Sequence, residues 1–200
     1  MAKNKKQEAE GRQSTGLMAD QFEIVSGKVR VTDPCYDEKT WCSAGVDNVK
    51  NGVWNAFVVM KNEREWGTRC AELQVWHSDY RKDDVVTHTM EYIKADIGVD
   101  SGQAGVFDSK FFKDPKSVAG VERTYNGARL CEDEPWYSMC CDRTLGEKMW
   151  GTIPYGAVSR SGFGDGGYNA YLTKKDGKVV AIKIVFIGDD EGADEEVTEY

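Results

Sequence analysis

The sequence predicts a mainly β fold, or an α+β fold, built on an antiparallel sheet or sandwich with one or two short helices in the middle. Apolar and polar residues alternate in several segments, as is typical of half-buried strands. Val, Tyr, Phe and Trp, which favour strands, are well represented. Gly is frequent, with 21 residues, and Pro is scarce, with four; this composition favours strands joined by tight turns.

Two strands are predicted near the start, at residues 22–25 and 28–32. Ser26-Gly27 separates them, so we expect a hairpin with a tight glycine turn. Asp33-Pro34 ends the second strand because Pro lacks the amide that a ladder needs.

The central strands are predicted from alternation at residues 69–80 and 92–99, and from an apolar run at 53–61. Apolar residues occupy both faces of that run, so both faces are expected to be covered. Alternation is lost between 114 and 146, where helices are predicted around 116–125 and 136–145. Asp114 would cap the first helix, with Pro115 in its first turn. A short strand at 157–160 and a hairpin formed by 168–173 and 178–187 complete the prediction.

The ends of the chain differ from this body. Residues 1–20 are polar and of mixed charge, and residues 189–200 carry seven acids and no base. Both are predicted to be disordered, a polar arm and an acidic tail, on either side of a single β-rich domain at 21–188. The net charge of −8 argues against non-specific nucleic-acid binding. No internal repeat is recognised.

The compartment predicted from the sequence is the cytoplasm. No apolar run is long enough for a membrane span, so no membrane association is expected, and the charged start lacks the apolar stretch of a signal peptide. The six cysteines are then expected to be thiols, and none forms a C-x-x-C pair. A redox role for Cys140-Cys141 stays open, although buried, inert cysteine is favoured.

The sequence indicates no metal site and no particular cofactor. His77 and His88 are the only histidines, and their spacing matches no zinc signature. His77 has the same parity as Leu73 and Val75, which predicts a half-buried structural side chain. The six tryptophans, Trp41 among them, could stack on a sugar or base, but their irregular spacing favours packing.

Three polar segments follow predicted strands, at residues 32–36, 99–105 and 159–168. Turns at strand ends are where a rigid scaffold usually displays binding groups. The predicted ligand-binding residues are therefore the polar side chains of these segments: Asp33, Tyr36, Asp100, Ser101, Gln103, Ser161, Asp165 and Tyr168.

The third segment has four glycines between residues 162 and 167. Its amides could cradle an anion, and Asp165 could act as a metal ligand, base or hydrogen-bond acceptor. Neither a P-loop nor a dinucleotide-binding pattern is present. In the alternative, Asp165 only bonds its own backbone.

In the second segment Asp100 and Ser101 precede a glycine, without the G-x-S-x-G pattern of a nucleophilic serine. Its alternative is a polar turn between strands. We expect the turns at 100–105 and 162–167 to lie side by side.

The last two segments resemble a known family. V-D-S-G-Q-A-G-V-F-D, at 99–108, is similar to the V-D-A-G-T-G-x-F-M-D signature of the domain-of-unknown-function 4241 family. S-G-F-G-D-G-G-Y, at 161–168, is similar to that family's S-G-x-G-D-G-x-Y segment, and 26–36 resembles the first strand of short bacterial and phage relatives. Gln103-Ala104 departs from the Thr-Gly of the signature.

The resemblance implies a β-rich fold and a bacterial or phage origin, and it assigns no activity. The motif positions it marks are Asp100, Gly102, Asp108, Gly164, Asp165 and Gly166.

The function predicted first is that of a non-enzymatic binding or accessory protein whose polar turns hold a small polar ligand or a loop of a protein partner. One alternative is a hydrolase with Asp100 and Asp165 as paired catalytic carboxylates, with or without a divalent cation. Another is a phage protein that acts on a host factor through its acidic surface. The geometry of the two carboxylates distinguishes the first two.

Overall fold

Strands dominate the architecture, which confirms the predicted fold class. The computed structural model describes residues 19–125 and 133–188. The strands in these ranges are β1 (Asp20–Ile24), β2 (Lys28–Thr32), β3 (Ala44–Asp47), β4 (Gly52–Asn62), β5 (Thr68–His77), β6 (Glu91–Tyr92), β7 (Ile97–Val99), β8 (Gln103–Asp108), β9 (Trp150–Ile153), β10 (Gly156–Arg160), β11 (Gly166–Lys175) and β12 (Lys178–Val185). The helices are α1 (Lys82–Val85) and α2 (Pro135–Leu145), with 3-10 turns at Arg64–Trp66 and Pro115–Val118.

Two antiparallel sheets share one core. The first has the order β1-β4-β5-β12-β11-β6, with β7 also paired to β11, and the second has the order β3-β2-β8-β10-β9. Alternate residues of both sheets, such as Leu73 and Ile182 from the first and Val31 and Val106 from the second, pack in that core. The outer face of each sheet is also covered in part: Trp136 of α2 packs on Phe107 of β8, and Val85 of α1 lies in one apolar cluster with Trp76 of β5.

Several predicted elements are confirmed. The strands at 53–61 and 69–80 are β4 and β5, the final hairpin is β11 and β12, and the helix at 136–145 is α2. β5 pairs with both β4 and β12, so the three longest predicted strands are neighbours. Asp114 caps its turn by accepting from the Lys116 amide, at 2.9 Å.

Other predictions are wrong. The helix expected around 116–125 is only the 3-10 turn Pro115–Val118, and residues 119–125 form no helix. The strand expected at 92–99 is interrupted, because β6 and β7 pair with different parts of β11. Asp20, expected in the disordered arm, begins β1, whereas the rest of that arm up to residue 18 and the acidic tail at 189–200 lie outside the described residues.

The hairpin predicted at 22–32 is also wrong, because β1 and β2 lie in different sheets. β1 pairs with β4, whereas β2 pairs with β3 and β8. The amides of Val25 and Ser26 at this crossing donate to Oδ2 of Asp108, at 2.6 and 2.8 Å, from the end of β8. The fully buried Asp108 therefore takes over the hydrogen bonds that a hairpin partner would have supplied.

A matching crossing connects β7 to β8. The amides of Asp100 and Ser101 donate to Oδ2 of Asp33, at 2.9 and 2.8 Å, and Asp33 follows β2. Asp33 is fully buried as well. The two crossings are thus reciprocal. Asp108, at the end of β8, holds the crossing before β2, and Asp33, directly after β2, holds the crossing before β8.

This reciprocity belongs to an internal repeat that the sequence alone did not reveal. β2 and β8 pair so that Val31 lies opposite Val106, with Arg30 opposite Phe107 and Thr32 opposite Gly105. A two-fold rotation about the Val31–Val106 pair therefore relates Ser26-Gly27 to Ser101-Gly102, and Asp33 to Asp108. The two glycines have the same left-handed backbone, with φ of 69° for Gly27 and 68° for Gly102.

The rotation extends to the other strands. β1-β2-β3-β4-β5 corresponds to β7-β8-β10-β11-β12, with α2 and β9 inserted between β8 and β10. In the first sheet the axis passes through the paired residues Gln74 and Lys183. The indole of Trp54 donates to the Lys50 carbonyl in one half, and the Tyr168 hydroxyl donates to the Gly164 carbonyl in the other. The chain is thus built from two related halves.

We expect Asp108→Asn to lower the free energy of unfolding by about 2–4 kcal/mol, because an amide group would turn a donor toward the backbone N–H groups that the carboxylate now accepts. Urea unfolding followed by circular dichroism measures this. Asp47→Asn is the matched control: its side chain is 69% exposed in an ion pair with Lys28, so a change below about 0.5 kcal/mol is expected. Equal effects of the two variants would contradict the crossing model.

Candidate functional site

A cleft opens where the second and third polar turns meet, and their predicted juxtaposition is confirmed. β7 pairs with the start of β11, so that Val99 lies opposite Gly166 and Gly98 lies opposite Gly167. The Ser161 amide donates to the Gly102 carbonyl at 3.0 Å. The cleft has a volume of about 500 Å³.

The lining of the cleft combines carboxylates with aromatic rings. Asp96, Asp100 and Asp165 supply the charge, Tyr36 and Trp41 supply the rings, and no Lys, Arg or His is among the lining residues. All three aspartates are exposed. Trp41 is 86% exposed, an unusual degree for so large an apolar side chain. The cleft therefore offers negative charge beside an uncovered indole.

Asp33 fixes the turn that carries Asp100. Besides the two crossing amides, it accepts from the Ser101 hydroxyl at 2.7 Å and from the Cys35 amide at 2.8 Å. Because these bonds occupy both oxygens, Asp33 and Ser101 hold each other and position Asp100 at the rim.

Asp165 is not tied to its own turn. That turn is closed by Ser161, whose hydroxyl donates to the Gly164 carbonyl at 2.8 Å, and by the Tyr168 hydroxyl, which donates to the Ser161 and Gly164 carbonyls. Among the described residues the Asp165 carboxylate has no hydrogen bond or ion pair. The alternative in which Asp165 bonds its own backbone is therefore wrong.

The floor of the cleft is formed by close backbone contact. The Gly98 amide donates to the Cys42 carbonyl at 2.8 Å, and a Cβ on Gly98 would lie 2.6 Å from the Cys42 sulfur. Only glycine lets β7 approach the segment that carries Trp41 so closely. Burial, with the neighbouring Asp100 carboxylate and Cys42 thiol, raises the pKa of Tyr36, so its hydroxyl stays protonated and can donate.

Gln103 lies behind the cleft rather than in it. It is buried, accepts from the Thr144 hydroxyl at 2.8 Å and donates to the Cys141 sulfur at 3.5 Å, which connects β8 to α2. Cys35 lies near this connection, and burial together with the Asp33 carboxylate raises its pKa to about 12. Burial also raises the pKa of Cys140.

The predicted ligand-binding residues thus separate into two groups. Tyr36, Asp100 and Asp165 line the cleft, whereas the others support it from behind: Asp33, Ser101, Gln103, Ser161 and Tyr168. Sequence reasoning missed Asp96 and Cys42 and did not connect Trp41 to the site. None of the three lies in a recognisable motif, so the sequence offered no signal that would have placed them in the site.

The internal repeat supplies a natural comparison for the carboxylates. Asp96 directly precedes β7 and Asp100 directly follows it. When β1 is superposed on β7 through their pairings with β4 and β11, these two positions correspond to Gln21 and Val25. Asp165 corresponds to Asn51. The equivalent positions of the first half therefore have none of the three charges.

His77, predicted to be a half-buried structural residue, is fully buried in the wall of the core. Its Nε2 lies 3.0 Å from the Asn51 carbonyl, and its Nδ1 accepts from the Asp79 amide at 3.1 Å. Within residues 19–125 and 133–188, no group of three or more His, Cys, Asp or Glu side chains has the geometry to hold a metal ion. In the same ranges no helix has the length and apolar character needed to cross a membrane.

Comparison with known families agrees with the resemblance seen in the sequence. A family model described as a protein of unknown function, DUF4241, matches residues 22–184. The chain belongs to the DUF4241 family. Searches of curated proteins and of solved structures each found no match. The matched range includes most of both halves of the repeat and every residue that lines the cleft.

Cys35 is expected to react with iodoacetamide at pH 8 at least a hundredfold more slowly than free cysteine, because a pKa of about 12 leaves roughly a thousandfold less thiolate than an ordinary thiol has. Peptide mapping by mass spectrometry measures the rate, and the same chain in urea is the control. Rapid alkylation in the folded protein would contradict the half-buried, hydrogen-bonded environment of Cys35.

Proposed function

We propose that this DUF4241 protein is a binding module whose cleft receives a cationic group, either the side chain of a protein partner or a small organic cation. The single observation that carries the proposal is the lining: three exposed carboxylates and an exposed indole, with no basic side chain among them.

The charge of the cleft selects the sign of its ligand. Asp96, Asp100 and Asp165 repel one another and have no basic neighbour in the lining, so a guanidinium or ammonium group would relieve this repulsion. Hydrogen bonds in which both groups are charged are also the stronger ones. An anionic ligand would meet unfavourable charge from all three.

Trp41 supports the same ligand class. Indole is the best aromatic partner for a cation, and such contacts contribute about 0.5–2 kcal/mol. Since Trp41 is 86% exposed, a ligand that covered it would also remove apolar surface from water.

The fold does not require these charges. At the equivalent places of the first half the chain has the uncharged residues Gln21, Val25 and Asn51. The carboxylates of the second half are therefore free to serve a ligand, and the amide variant of each should be accepted without structural cost.

The probe is an acetylated and amidated Gly-Arg-Gly peptide, titrated into the protein and followed by ¹H–¹⁵N spectra. We expect shifts of the Trp41 indole and of the Gly98, Gly166 and Gly167 amides. Asp165→Asn should weaken binding about fivefold to tenfold, since one charged hydrogen bond contributes roughly 1–1.5 kcal/mol. Its free energy of unfolding should stay within about 0.5 kcal/mol of the original.

Two controls match this experiment. The same peptide with citrulline in place of arginine keeps the shape and removes the charge, so it should not bind. Asp176→Asn makes the same charge change at the exposed tip of the β11–β12 hairpin, where asparagine fits the positive φ of 49°, and it should leave affinity unchanged. Equal binding of the citrulline peptide, or shifts elsewhere on the surface, would contradict the proposal.

A hydrolase is the second candidate, because Asp100 and Asp165 line the same cleft and could act as paired carboxylates. The two functions differ in their products. If incubation with ester, glycoside or phosphodiester substrates gave turnover that both Asp100→Asn and Asp165→Asn abolished, the cleft would be catalytic. Peptide binding without turnover favours the binding module.

A further inference from the structure

A second exposed surface lies on the other side of the third polar turn. Trp66 and Phe163, 62% and 56% exposed, meet edge to face with ring centroids 6.4 Å apart. They adjoin a hollow of about 250 Å³ whose lining includes Arg69, Leu145, Arg160 and Phe163. We call Trp66, Arg69, Leu145, Arg160 and Phe163 the Arg69 patch.

The Arg69 patch is positively charged. The guanidinium of Arg69 lies 5.9 Å from the ring of Phe163, and its Nε donates to the Trp66 carbonyl. Its two terminal nitrogens have no partner among the described residues. Arg160 donates to the Thr144 and Leu145 carbonyls at the end of α2, and the hollow has no carboxylate in its lining.

The described chain ends beside this patch. After β12 the amides of Phe186 and Ile187 donate to the Ala71 carbonyl, and the Gly188 carbonyl accepts from Nζ of Lys61 at 3.1 Å. Lys61 is the cross-strand partner of Arg69, and directly opposed residues lie about 5 Å apart. The chain therefore leaves Gly188 close to Arg69.

We propose that residues 189–200 of the same chain occupy the Arg69 patch. This segment has seven acids and no base, and its sign is complementary to Arg69 and Arg160. Twelve residues can span up to about 40 Å, so the patch is well within reach. Val197 and Tyr200 offer apolar groups for Trp66 and Phe163.

Because residues 189–200 belong to the same chain as the Arg69 patch, weak contacts are sufficient to hold them there. A tethered segment has an effective concentration of the order of millimolar at a nearby site, so the segment stays on the patch even if each ion pair contributes little. Docking of this kind needs no fixed conformation of the segment. It also competes with the binding of an acidic segment of another protein to the patch.

The test uses the full chain and ¹H–¹⁵N spectra at low salt. In one variant the seven acids, Asp189, Asp190, Glu191, Asp194, Glu195, Glu196 and Glu199, are each replaced by the corresponding amide. We expect the Trp66 indole and the Arg69 and Phe163 amides to shift. In the reciprocal variant, Arg69→Gln, we expect the resonances of residues 189–200 to move toward random-coil values.

Arg81→Gln is the control, since it makes the same charge change at an exposed residue outside the patch, and it should leave the tail resonances where they are. Raising the salt to 0.5 M should reproduce the effect of Arg69→Gln, because exposed ion pairs are screened. Tail resonances that Arg69→Gln leaves unmoved would overturn the proposal. Shifts that depend on protein concentration would also overturn it, because they would show that the tail binds a second copy of the chain instead of its own patch.

Discussion

Buried aspartates hold the places where the chain passes from one structural layer to another. Asp33 and Asp108 accept the amides of the two sheet crossings, and Asp142 accepts the amides of Thr124 and Tyr125. Burying a carboxylate is costly, and three or more hydrogen bonds offset that cost. Burial alone would raise the pKa of Asp142, but the amide bonds and Arg143 lower it. The sheets, the turns and the cleft all depend on these contacts.

Local patterns predicted local structure well. β4 follows from an apolar run, β5 from alternation, the β11–β12 hairpin from its Lys-Asp-Gly turn, and α2 from a segment without alternation. The crossing at Ser26-Gly27 was predicted as a hairpin, because a glycine turn between two strands looks the same whether they stay in one sheet or not. What decides between these outcomes is Asp108. It is distant in sequence from Ser26-Gly27, so the pattern of residues around that turn does not include it.

The candidate site was predictable only in part, because local patterns locate some of its residues and not the others. Asp100 and Asp165 follow strands and lie in glycine-rich turns, so their positions could be predicted together. Asp96 and Trp41 lie in irregular segments, and only the close contact of Gly98 with Cys42 brings Trp41 to the cleft. The repeat escaped notice because the spacing between equivalent residues changes along the chain: Asp108 follows Asp33 by 75 residues, whereas Tyr168 follows Trp54 by 114.

The reciprocal crossings also govern how the chain can fold. Asp33 must meet amides 67 residues later in the sequence, and Asp108 must reach back 83 residues to Val25. Neither crossing is complete until the other half supplies its aspartate. The chain must therefore close long loops, at a cost in conformational entropy, before most of the stabilising contacts form. During synthesis the amides of the first crossing can therefore bond only to water until residue 108 has left the ribosome. Two related halves that resemble separate units thus form a single cooperative folding unit.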